Sequence, residues 1–213
     1  CKQNSKTDII MRKVIGIGET TFDIIFKDNK PINAVPGGSA FNAIISLGRS
    51  GVDTTFIGEA GNDRVGKAVI DFLHDNDVHT EHVICYPDSK SSLSLAFLDE
   101  HNNADYLFYK SDPHDQFDFT YPEINRDDIV LFAINPIVRP QMLAFLEHAH
   151  SRGAILYYDV NYRASHRNEV MRITPNLIEN LEFADIVRGS NEDFEVIYKL
   201  NDADKVYHSE ISF

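Results

Sequence analysis

Clustered and alternating apolar positions divide most of the chain into short strand and helix patterns. Val14 to Glu19 (VIGIGE) has the pattern of a short buried strand, and Phe22 to Phe26 (FDIIF) continues it toward a polar turn at Lys27 to Lys30. Pro36-Gly37-Gly38 then stops the extended chain. Ser39 is suited to cap a helix running to about Arg49, because its hydroxyl can accept a free backbone N–H, and Gly51 ends that helix. Thr54 to Ile57 reads as the next strand. Asn62 or Asp63 caps a helix whose Val65, Val69, Phe72 and Leu73 share one face.

Residues 92 to 110 interrupt this rhythm, since two strand-like runs there flank His101-Asn102-Asn103, a hairpin signal. The alternation resumes with a strand at Ile129 to Ile134 and a helix carrying Met142, Phe145, Leu146 and Ala149 on one face. A strand at Ala154 to Val160, a helix near Thr174 to Leu181 and a last run at Ala184 to Val187 follow. Strands alternating with helices predict a parallel sheet covered on both faces and joined by crossovers. The 92 to 110 hairpin, with the turn after Phe26, is expected to form a separate small sheet. There are no internal repeats and no linker long enough to divide the chain.

Composition narrows the function without naming it. Of 213 residues, 43% are hydrophobic and 25% charged, which excludes collagenous, low-complexity and wholly disordered chains. Lys plus Arg total 20 against 33 Asp plus Glu, a formal net charge of -13 that repels polyanions and argues against nucleic acid as a partner. The two cysteines, Cys1 and Cys85, form neither a zinc quartet nor a C-x-x-C pair, which fits a reducing compartment. The longest apolar run is strand-length, far short of the roughly 18 residues that span a bilayer. The expected location is the cytoplasm. Residues 1–10 precede Met11 and are expected to be a leader outside the fold; Cys1 as a lipid-bearing residue has no other support in the sequence.

Two phosphate-binding motifs fail on inspection. Gly16-Ile17-Gly18 follows a strand, but the third glycine of a dinucleotide fingerprint would fall on Thr21. Gly61 to Lys67 has the spacing of a P-loop, yet Ala68 stands where a hydroxyl would hold magnesium. His148 and His150, two apart on a helix, do not share a face. Pro36 to Asn42 (PGGSAFN) is the most informative stretch: two glycines permit close approach of a ligand to the backbone, and the helix start behind them offers free N–H donors. The same residues also read as a plain turn and helix cap.

The run from Gly37 to Gly66, including Gly58, Gly61, Asp63 and Gly66 in a G-x-x-G-x-D-x-x-G pattern, resembles the N-terminal signature of the ribokinase-like (phosphofructokinase B-type) carbohydrate kinases. Gly18-Glu19 with Asp23 is similar to that family's first strand, Phe108-Tyr109-Lys110 to its F-Y-R lid strand, and Asp159, Asn161 and Arg163 to its D-x-N-x-R. The ordered set covers residues 12 to 213 and looks most like the fructokinase and 2-keto-3-deoxygluconate kinase branch, with ribokinase the further alternative.

The resemblance implies a three-layer α/β/α sandwich with a mostly parallel sheet, occupying residues 11–213, with β-lid segments near 24–36 and 92–110. It implies transfer of the ATP γ-phosphoryl to a sugar hydroxyl, with Mg²⁺, a monovalent cation as a further candidate, and a homodimer formed through the lid. Asp23, Gly37, Gly38, Asn42 and Asn161 are the implied sugar-binding residues, and Lys110 and Arg163 would meet substrate or phosphate charge. The family's N-x-x-E element fits no register fully around Ser190 to Glu195. Asp193 is the preferred metal-side acid, with Glu192 and Glu195 as alternatives, although Ser-x-x-Asp is also a capping box. No G-x-G-D, the family's anion hole and base, occurs in the chain. The base is therefore expected beyond Phe213, the C-terminal third is expected to be missing, and these 213 residues alone are expected to be inactive. A non-catalytic sugar-binding or dimerising module and a nucleotide-binding protein unrelated to sugar are the rival readings.

Overall fold

The computed structural model describes residues 12–109, 119–133, 140–162 and 170–208. Its body is a six-stranded parallel sheet built from β1 (Val14–Gly18), β4 (Thr54–Gly61), β5 (Val78–Tyr86), β8 (Ile129–Ala133), β9 (Ile155–Asp159) and β10 (Ile186–Arg188), in the order β10-β9-β8-β1-β4-β5. All five pairings are parallel. Strand β5 is an element the periodicity did not reveal, because its polar His79, Glu81 and His82 interrupt the apolar pattern of an edge strand.

The side-chain alternation of the central strands divides the core between the two faces. Ile15, Ile17, Val130 and Phe132 point one way, into a cluster with Met142, Phe145, Leu146 and Ala149 of α3 (Pro140–Ser151) and Leu177 and Leu181 of α4 (Val170–Phe183). Val14, Leu131 and Ala133 point the other way, against Phe41, Ile44 and Ile45 of α1 (Ser39–Arg49) and Val69 and Leu73 of α2 (Arg64–His74). Helices thus cover both faces of the sheet, giving the α/β/α sandwich that the resemblance implies. Two shorter helices follow β10, α5 (Asn191–Tyr198) and α6 (Ala203–Val206). No helix of the described residues is long and apolar enough to cross a membrane.

A second sheet has the order β3-β2-β6-β7, from β2 (Thr21–Lys27), β3 (Lys30–Gly37), β6 (Leu93–Leu98) and β7 (Ala104–Tyr109). Here the structure corrects the expectation that FDIIF prolongs the first strand. The chain leaves the main sheet after Gly18, and Thr20 Oγ1 donates to Glu59 O at 2.9 Å, fixing the departure. Phe22, Ile24 and Phe26 alternate with Asp23, Ile25 and Lys27, the pattern of a sheet whose two faces differ, whereas β1 is buried nearly throughout. The turn at Asp28 and Asn29 has both residues at positive φ, 51° and 57°, as a two-residue hairpin requires.

The N-terminus of α2 is tied to the base of this second sheet. Asp63, its N-cap, accepts from Gly66 N at 2.8 Å, from Ser91 Oγ at 2.8 Å and from Ser91 N at 3.0 Å. Burial pushes the Asp63 pKa up, but the hydrogen bonds from Gly66, Ser91 and Val65 outweigh it and hold the carboxyl below its ordinary 3.8. A carboxyl depressed in the folded state contributes stability that is complete above its unfolded value and is lost as pH falls through the folded value. Asp63→Asn is therefore expected to lower the urea midpoint near neutrality, with the gap from the parent narrowing as pH falls below about 4. A gap independent of pH from 6 to 3 would exclude this role for the charge.

Candidate active site

The site forms where the second sheet meets the start of α1. Asp23 lies in β2, opposite Ser94 of β6, and the pleat puts Asp23, Ser94 and Phe108 of β7 in one row across the sheet. Asp23 Oδ1 accepts hydrogen bonds from Thr21 Oγ1 and Ser94 Oγ, each at 2.7 Å. With Oδ1 held by two hydroxyls, Oδ2 faces Gly37 at the end of β3 and has no donor among the described residues. A Cβ at Gly37 would collide with Oδ2, so glycine there keeps the carboxylate accessible. Tyr106 and Phe108 stack on the same face with centroids 5.7 Å apart.

Gly38 follows as the N-cap of α1, with φ 138° and ψ 151°, a conformation essentially reserved for glycine, and a Cβ there would strike Glu19 O. The expected capping role of Ser39 is thereby corrected: Ser39 is the first residue of the helix, and its Oγ donates instead to Asp159 Oδ2 at 2.9 Å. Asn42, one turn into α1, exposes its side chain to solvent with no partner among the described residues, while its N–H donates to Gly38 O. The first N–H groups of this helix have no intrahelical partner, and the Asp23 carboxylate lies against Gly37 just ahead of them.

Asp159 joins this cradle to the carboxyl ends of the parallel strands. Its Oδ1 accepts from Arg188 NH1 at 2.8 Å, an ion pair in which the Asp159 side chain is 13% exposed and Arg188 63%. The hydrogen bond to Asp159 and its charge raise the Arg188 pKa further above its ordinary value. Asn161, two residues past Asp159, has φ 39°, a left-handed conformation that asparagine tolerates. Asp193 closes a capping box: its Oδ2 accepts from Ser190 N at 2.7 Å and Ser190 Oγ at 2.8 Å, while its own N–H donates to Ser190 Oγ at 3.1 Å. The cap reading of Ser190-x-x-Asp193 is thus realised, leaving Asp193 Oδ1 without a partner among the described residues.

The structure therefore brings Asp23, Gly37, Gly38 and Asn42 together, and sets Asn161 and Asp193 by the strand ends near Asp159. Lys110 and Arg163 lie outside the described residues. Thr21, Ser94 and Arg188 were not singled out as site residues by the sequence, and Ser39 was read only as a cap. Thr21 could have been found as a hydroxyl two positions before Asp23 on the same strand face; the partners of Ser39 and Ser94 are 120 and 71 positions away and left no local signal. No group of three or more His, Cys, Asp or Glu among the described residues is arranged to hold a metal ion.

A carboxylate thus lies beside a glycine-edged helix start in an α/β fold whose main sheet is parallel. The profile of the pfkB family carbohydrate kinases matches residues 4–210, and the chain belongs to that family. Relatives include a probable chloroplastic fructokinase-6 of Arabidopsis thaliana, 25% identical over 191 residues that cover 86% of this chain and 50% of that protein. Another is a 5-dehydro-2-deoxygluconokinase of Bacillus thuringiensis, 25% identical over 186 residues, 82% of this chain and 55% of that protein. The chain spans about half the length of these curated relatives.

Solved structures share the fold. A Vibrio cholerae fructokinase, determined with fructose, ADP and calcium ion bound, matches with a TM-score of 0.80 at 20% identity, over 93% of this chain and 66% of that one. An uncharacterized sugar kinase from Pyrococcus horikoshii matches with a TM-score of 0.75 at 21% identity, over 87% of this chain and 68% of that one.

Gly38→Ala is expected to destabilise the chain by about 1–3 kcal/mol, the cost of holding a side chain in a glycine-only backbone region. Chemical denaturation measures it; a change below about 0.5 kcal/mol would mean the α1 start relaxes without strain.

Proposed function

We propose that the protein acts as an ATP-dependent sugar kinase, transferring the γ-phosphoryl group to a hydroxyl of fructose. The observation that carries this reading is the Asp23 carboxylate, pinned through Oδ1 by Thr21 and Ser94 and offering Oδ2 beside Gly37. A carboxylate is acceptor-only, so such a group suits two adjacent sugar hydroxyls, which donate to it. Gly37 and Gly38 let the sugar approach the backbone, Asn42 binds a further hydroxyl, and the Tyr106–Phe108 face offers apolar surface to the ring. The fructokinase relatives favour fructose, with 2-keto-3-deoxygluconate and ribose as the substrates to compare.

In this reading the chain's own residues position and shield. Arg188, held by Asp159 and largely exposed, supplies positive charge at the strand ends, where Arg163 and Lys110 are further candidates. Among the described residues Asp193 Oδ1 suits magnesium, which takes only one or two protein carboxylates beside phosphate and water. Magnesium bound with ATP would neutralise charge developing on the phosphates. Closure of the second sheet over the sugar excludes water from the transfer. That sheet's outer face carries Ile32, Leu107 and Tyr109 at 57%, 49% and 58% exposure, supporting a homodimer through the lid. Light scattering of the double variant Leu107→Ser, Tyr109→Ser is expected to give a monomer where the parent gives a dimer; equal masses would remove the dimer.

The decisive variant is Asp23→Ala in the product of the complete gene. Each charge-assisted hydrogen bond contributes about 1.5–3 kcal/mol, so losing two weakens fructose binding by about 10²-fold or more. Asn42→Ala, losing one neutral bond of about 1 kcal/mol, should weaken it about fivefold. Calorimetric titration of fructose and an ADP-release assay measure both. Unchanged fructose affinity in Asp23→Ala would refute the sugar site, and fructose binding without ADP release in the complete protein would favour a sugar-binding module instead.

A further inference from the structure

The G-x-x-G-x-D-x-x-G run has no part in the proposed chemistry, yet it makes a densely bonded polar cluster. A helix N-cap needs only to accept from an N–H of the first turn, which Asp63 does with Gly66 N at 2.8 Å. The same carboxylate also takes both the backbone N–H and the hydroxyl of Ser91, 28 positions away. Ser91 Oγ in turn accepts from Gly61 N at 3.0 Å. The two glycines of this turn are packed against the same segment: a Cβ at Gly61 would lie 2.6 Å from Ser89 O and Ser91 N, and one at Gly66 would collide with Gly61 O. Capping alone explains neither the bonds to Ser91 nor this interlock.

Ser91 lies at the root of β6. Its neighbour Ser92 accepts from Phe22 N at 3.0 Å, which starts the β2–β6 pairing. Two residues further on, the fully buried Ser94 donates to Asp23 Oδ1. An unbroken line of short bonds thus runs from the start of α2, through three residues of extended chain, to the carboxylate that the sugar reading depends on.

We infer that Asp63 is a positioning residue for Asp23: by gripping Ser91 it sets the register and reach of β6, so that Ser94 holds the carboxylate in its binding orientation. This rests on the sugar-kinase reading for its functional consequence but not for its structural one.

The test uses two variants of the complete protein. Ser91→Ala removes the hydroxyl, and Asp63→Ser keeps a capping oxygen for Gly66 while being too short to hold Ser91. Each is expected to raise the fructose Kd about tenfold, as for loss of a bond to a charged group, with the ATP Kd within about twofold of the parent. Amide exchange of residues 93 to 98 should quicken in both. A purely structural role would weaken both ligands together, or neither, and would overturn the proposal. Asp23→Ala is titrated alongside: if it leaves fructose binding intact, the sugar reading fails and amide exchange alone decides, with unchanged exchange at 93 to 98 overturning the tie itself.

Discussion

The molecule is organised around a carboxylate that is half satisfied. Two hydroxyls, from Thr21 and Ser94, saturate one oxygen of Asp23 and leave the other facing a glycine. A fixed, charged acceptor costs little further ordering when a ligand donates to it, which is how pre-organisation turns hydrogen bonds into affinity. Each other part of the site follows from that need: Gly37 has no side chain because one would meet the carboxylate, β6 must lie in register so that Ser94 reaches it, and α1 must begin immediately after Gly38.

The second sheet cannot supply this precision alone. Its strands are mostly half-buried or exposed, and a four-stranded sheet with so little core of its own has limited independent stability. It is anchored at Thr20 on Glu59, at the junction of Gly37 with α1, and at Ser91 on Asp63. The main body, with aromatic and aliphatic clusters on both faces of a parallel sheet, provides the packed support for these anchors. Asp159 completes the arrangement by bonding both Ser39 of the cradle and Arg188 at the strand ends, so one partly buried carboxylate orients groups on both sides of the site.

Much of this was legible in the sequence because it is written locally. Apolar periodicity placed α2 and α3 and the central strands, the two glycines marked a close backbone approach before α1, and Asp23 was pointed to only by the family resemblance. What escaped was carried by partners distant in the chain. Ser39 next to a glycine turn reads as a cap, and only its approach to Asp159 shows otherwise. Phe22 to Phe26 reads as more of the first strand, because composition cannot tell which of two sheets an apolar run joins. Strand β5 is an edge strand with polar positions, and Ser94 is one serine among several until strand register sets it beside Asp23.

The most direct measurement is a crystal structure of the protein soaked with fructose and without nucleotide. Density for the sugar should stand against Gly37 and Gly38, with hydroxyls within about 3 Å of Asp23 Oδ2 and of the Asn42 side chain. Fructose bound elsewhere, or Asp23 Oδ2 still without a donor in a crystal with sugar bound, would contradict the account.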